Sequence, residues 1–140
     1  MVNPDELEKA YNNEENAQLL DLTNEKIETV KIQMLKQINL DKKQFKEMLN
    51  KLKNYRYIDE LPDLKYGAFI RWISLKNPEI IKLSNGGLVM EIKIELSGIK
   101  IVCKNNMNVF FQINMNENLI FQKLNNQENV LLSALDYINQ

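Results

Sequence analysis

The stretch from Leu83 to Asn106, LSNGGLVMEIKIELSGIKIVCKNN, alternates apolar and polar residues with a period of two. That period belongs to a strand with one wet face and excludes a helix. Leu88, Met90, Ile92, Ile94 and Leu96 fall on one side and are expected to face a core. Val89, Glu91, Lys93 and Glu95 fall on the other. Ser97-Gly98 marks a tight turn, after which Ile99, Ile101 and Cys103 continue inward and Lys100 and Lys104 outward. Asn85-Gly86 is a strong hairpin signal.

The flanking segments extend the pattern. Phe69, Arg71, Ile73 and Leu75 alternate with Ala68, Ile70, Trp72 and Ser74, apolar on both sides, as in a central strand. Ile80 to Leu83 reads as a short strand. Val109 to Met115 reads as another, and Leu119 to Leu124 as the last. Strands following one another through short turns predict an antiparallel meander over residues 65–124. It is expected to curl into a small barrel or to lay one apolar face on helices.

Helical signals lie on either side. Pro4-Asp5-Glu6 suits a short helix start within an acidic arm, residues 1–22. Ile27, Val30, Met34, Leu35 and Ile38 have helical spacing behind a cap at Thr23 or Asn24. Asp41 and Gln44 form a capping box, with Leu40 and Phe45 as its hydrophobic staple. Residues 23–56 are therefore expected to form a helical hairpin, with 57–64 a linker around Pro62. Asn125 and Glu128 open a C-terminal helix over 125–140, whose stripe of Leu131, Leu135 and Ile138 should dock on the sheet. The expected fold is α+β, with five to six strands in one globular domain.

Several functions are disfavoured by what the chain lacks. It has no histidine and one cysteine. That removes the commonest general base and metal ligand, the histidine triads, intrachain disulfides and multi-cysteine zinc sites. Cys103 has no imidazolium to hold a thiolate and reads as core packing. Glu91 and Glu95 lie roughly 13 Å apart along one strand, with Lys93 between them, and read as a solvated face. Gly86-Gly87 matches no phosphate-loop pattern. No catalytic, cofactor-binding or metal-binding residue is expected, and the protein is expected not to be an enzyme. No apolar run approaches the length of a membrane span, and the reducing interior of a cell is the natural setting.

Charge is blocky. Residues 1–30 hold eight acids and two bases, a net of −6; residues 31–56 hold eight bases and two acids, a net of +6. Lys42, Lys46 and Lys53, flanked by Lys43, give a basic helix stripe able to meet phosphates without reading bases. Arg71 and Trp72 are enriched types at interaction hot spots. The plainer reading sets Arg71 at a sheet margin, packed along its stem or paired to an acid such as Glu91. Phe110 and Gln112 lie on a strand suited to pairing with another chain. The expected function is self-association as a homodimer, or binding of a protein partner. Non-specific nucleic-acid contact through Lys42, Lys43, Lys46 and Lys53 is the alternative.

Four strings together resemble a small protein family of the large cytoplasmic (giant) DNA viruses of protists: FIRWISL at Phe69, NGGLVMEIKIE at Asn85, IVCKNN at Ile101 and IFQKLNNQENVLLSALDYI at Ile120. The 20 asparagines, an AT-biased usage, are in keeping with it. The resemblance implies a protein made in the infected host cytoplasm and packaged in the virion. It implies no activity and no site residues.

Overall fold

The computed structural model describes residues 3–19 and 22–138. Met1, Val2, Leu20 and Asp21 of the expected arm, and Asn139 and Gln140 of the expected last helix, lie outside the described residues. The fold is α+β, with four helices and one open six-stranded antiparallel sheet. The chain divides into two compact units, Met1–Lys31 with Leu124–Gln140, and Ile32–Lys123.

In the first unit, α1 (Pro4–Asn12) opens on Asn3, whose side chain accepts from the Asp5 amide at 2.9 Å. A 3₁₀ segment follows over Glu14–Leu19. α4 (Asn126–Ile138) opens on a reciprocal box: the Asn125 amide donates to Glu128 Oε1 at 2.9 Å and the Glu128 amide to Asn125 Oδ1 at 2.8 Å. Within this unit the last helix buries Leu131 and Leu132 among Ala10, Leu19, Ile27 and Leu124. The start of α2 (Asn24–Lys36) is held by α4, since Asp136 accepts from the Asn24 amide at 2.9 Å and from its side chain at 2.7 Å. A carboxylate there also complements the positive end of the helix dipole.

The second unit is the sheet with the end of α2 and the whole of α3 (Lys42–Lys51). The predicted capping box of α3 is present, with the Gln44 amide donating to Asp41 at 2.8 Å and the Asp41 amide to Gln44 at 3.1 Å. The strands are β1 (Tyr55–Ile58), β2 (Phe69–Ser74), β3 (Gly87–Glu95), β4 (Gly98–Lys104), β5 (Phe110–Asn114) and β6 (Asn118–Lys123). Their order is β1-β6-β2-β3-β4-β5, so β6 returns to lie between β1 and β2 and the sheet does not close into a barrel. Ile80 to Leu83 forms no strand; Leu83 alone makes a bridge, to Ile73.

Both faces of the sheet carry core. One face bears Tyr55, Ile73, Leu119 and Phe121, covered by Leu35, Met48 and Leu52 from the helical side. The other gathers Ile58, Ile70, Val89, Ile101, Cys103 and Ile120, with Leu64 from the segment after β1. Gln122, almost fully buried, pins that segment by donating to the Asp63 carbonyl at 3.0 Å and accepting from the Lys65 amide at 2.9 Å. The helix-covered face continues bare beyond β2, through exposed Leu88, Met90 and Phe110.

The expected inward set of β3 is corrected by a bulge. Val89 faces Cys103 but Glu91 faces Val102, so Met90 is an extra residue and the side-chain alternation inverts there. Val89 is 1% exposed and Leu88 41%, the reverse of the expectation. Ile94 and Leu96, at the hairpin tip, are exposed as well.

Candidate functional site

The free edges of the sheet are β1 and β5. Three of the four residues of β1 are buried, and the segment it leads into folds over the inner face. β5 is different. Phe110, Phe111 and Gln112 are all exposed, and the strand has no charge, proline or bulge. Those are the usual devices that blunt an edge.

The turn before β5 shows which way its main chain points. The Asn105 amide donates to the Val109 carbonyl at 3.0 Å, and Val109's own amide donates to Asn105 Oδ1 at 3.0 Å. Antiparallel ladders alternate, so Phe111 and Ile113 bond to β4 while Phe110 and Gln112 turn their N–H and C=O groups to the open side. Asn108 takes the left-handed conformation that this turn needs, with φ of 61°.

The sequence-predicted interaction residues do not form one cluster. Phe110 and Gln112 lie on one face of β5. Trp72 lies on the other face of the sheet, half-buried, with its ring edge-on to Phe111 at 6.5 Å between centroids. Arg71 points to the helix-covered face and donates through Nε to the Ser84 carbonyl at 2.8 Å. It also draws down the Tyr55 hydroxyl pKa, against the larger upward push of burial. Its partner is the Ser84 carbonyl in place of the suggested Glu91, and its strand lies inside the sheet, between β6 and β3, not at the margin. Ser84 also holds Trp72, accepting from its amide at 3.0 Å and donating its own amide to the Trp72 carbonyl at 2.9 Å.

Contact between Trp72 and Phe111 is possible because the sheet curls. The two strands are separated by β3 and β4, yet their rings touch. The curl leaves a groove of about 680 Å³ whose walls include Trp72, Phe111, Phe69, Asn85, Asn106 and Lys82. Sequence reading found Trp72 but missed the groove. The signal available was Phe111 on the inward side of its strand, next to the asparagine-rich turn. A second hollow of about 730 Å³, near the end of α2 and Gly98, is mainly apolar, with Asp59 its one charged wall residue.

Lys42, Lys43, Lys46 and Lys53 are all exposed, and none forms an ion pair with a described residue. Lys53 does not extend the helical stripe, because α3 ends at Lys51 and Lys53 sits in the following turn. Glu91 and Glu95 are exposed. Among the described residues no cluster of acids and cysteine could hold a metal ion. Cys103 is fully buried, and burial pushes its thiol pKa up to about 12. No helix of the described residues is long and apolar enough to cross a membrane. No family model, curated protein or solved structure matches the chain.

Proposed function

We propose that the protein is a non-catalytic module that pairs with a second copy of itself, strand to strand, along β5. The observation that carries this is the unguarded edge: a five-residue strand, uncharged, with Phe110 60% exposed beside it. Pairing β5 antiparallel to its own copy satisfies the outward groups of Phe110 and Gln112 twice over about one two-fold axis. It also removes exposed aromatic surface from water. The likeness of Phe69 to Ile138 to the giant-virus family supports a setting in infected cytoplasm or the virion.

The test is sedimentation equilibrium on the full chain and on Gln112→Pro. Gln112 turns its amide outward, so proline removes a donor from the dimer seam and none from β4. The wild type should be a dimer at micromolar concentration and the variant a monomer with an unchanged far-UV spectrum. A monomeric wild type would falsify the reading.

A second reading, accessory nucleic-acid binding, is favoured by Lys42, Lys43 and Lys46 standing exposed, with no ion pair to a described residue, on or beside one helical stripe. Such contact weakens steeply with salt. Charge reversal at these lysines would remove it.

A further inference from the structure

We infer that the groove whose walls include Trp72 and Phe111 binds a single-stranded nucleic-acid segment by stacking its bases on these rings. The site does not use the lysines of α3, and Phe111, though on β5, bonds to β4 and not across the seam.

The chemistry of the walls selects the ligand. Phe111 is 44% exposed and Trp72 half-buried, so aromatic surface faces the groove. Any nucleobase can stack on such a surface, whatever its identity. Asn85 and Asn106 are exposed at the walls, and an amide both donates and accepts, as a base edge requires. Lys82, also exposed, supplies the one side-chain charge. No carboxylate of the described residues lines the groove, so a cationic or amine ligand meets no counter-charge and a phosphodiester meets no repulsion. The volume, about 680 Å³, lies in the range of small-ligand clefts and suits one or two nucleotides of a strand lying across it.

The walls are also held in place. Ser84 holds both the N–H and the C=O of Trp72, at 3.0 and 2.9 Å, and Asn105 organises the opposite turn by accepting from the Met107 and Val109 amides at 2.9 and 3.0 Å. A groove whose two sides are fixed before binding loses little entropy on occupation.

Trp72 is the only tryptophan of the chain and therefore reports directly on the groove. The experiment titrates the full-length protein with an oligothymidylate of roughly eight nucleotides, reading tryptophan fluorescence at low and high salt. Phe111→Leu, Lys82→Gln and a Lys42→Gln/Lys46→Gln variant are compared, each checked for folding by circular dichroism. The expected result is saturable quenching, weakened about tenfold by Phe111→Leu. Lys82→Gln should weaken it severalfold and flatten its salt dependence. Quenching retained in the α3 variant assigns the binding to the groove and not to the lysines.

Absence of quenching would overturn the inference. So would quenching that Phe111→Leu and Lys82→Gln leave intact, or that only the α3 variant abolishes. Quenching by a neutral oligosaccharide such as maltohexaose in place of the oligonucleotide would reassign the groove to sugar and equally overturn it.

Discussion

Arg56 reaches Asp63 through one Nη at 3.6 Å, while its Nε is buried with no hydrogen-bond partner. A 5%-exposed guanidinium so thinly paired is a cost to the fold as much as a support. Arg56→Met, which keeps the stem and drops the charge, should be neutral or stabilising within about 1 kcal/mol. Asp63→Ala, which strands the cation, should destabilise by about 3 kcal/mol. Urea unfolding of the two variants separates them, and equal losses would contradict this account.

Cys103 should resist a thiol reagent until the protein unfolds, because its pKa is pushed up to about 12 by burial. Its folded pKa lies above its unfolded value of 9.0, so the neutral thiol stabilises the fold fully below pH 9.0. That contribution fades as pH rises from there towards 12. Cys103→Ser buries an unpaired hydroxyl and should cost about 1–3 kcal/mol near neutral pH. The serine does not titrate, so the gap between wild type and variant should narrow above pH 9.0 in unfolding curves.

Gly86 and Gly67 both have positive φ, +92° and +78°, but only Gly86 is crowded. A Cβ on Gly86 would stand 2.5 Å from the Ile70 carbonyl oxygen and 2.7 Å from the Phe69 ring. Gly86→Ala should therefore cost more than about 2 kcal/mol, adding a clash to the strain. A Cβ on Gly67 meets nothing within 4 Å, and Gly67→Ala should cost about 1 kcal/mol. Melting curves that rank them the other way would refute the geometry.

Asp41→Ala removes one half of the α3 capping box and should cost about 1 kcal/mol, with Asp41→Ser retaining most of the stability. Helix content by circular dichroism and the unfolding midpoint report both.

Local signals were the legible part of this chain. Asp41 with Gln44, Asn125 with Glu128, and Pro4-Asp5-Glu6 each announced a helix start that the structure has, because these signals act within one helical turn. The α+β class and the antiparallel strands were readable from the change of period at Lys65. What failed depended on partners distant in sequence. Tyr55 and Arg56 read as the end of the helical hairpin and Tyr57 and Ile58 as linker, yet all four pair with Lys123 to Ile120. The bulge at Met90 exists only in relation to β4, so a perfect alternation pointed Leu88 and Met90 the wrong way. Of the candidate interaction residues, Trp72, Phe110 and Gln112 lie at the groove or the open edge. Arg71 does not, since nothing near it in sequence reveals its bond to Ser84.

The return of β6 between β1 and β2 has a bearing on how the chain is made. On the ribosome, Tyr55 to Ile58 emerges early but has no permanent neighbour, and Phe69 to Ser74 has only its short pairing with β3, until Asn118 to Lys123 has been synthesised. For most of translation the slot between β1 and β2 stands empty. A nascent chain stalled before that point would offer two unpaired strand margins to whatever else is nearby.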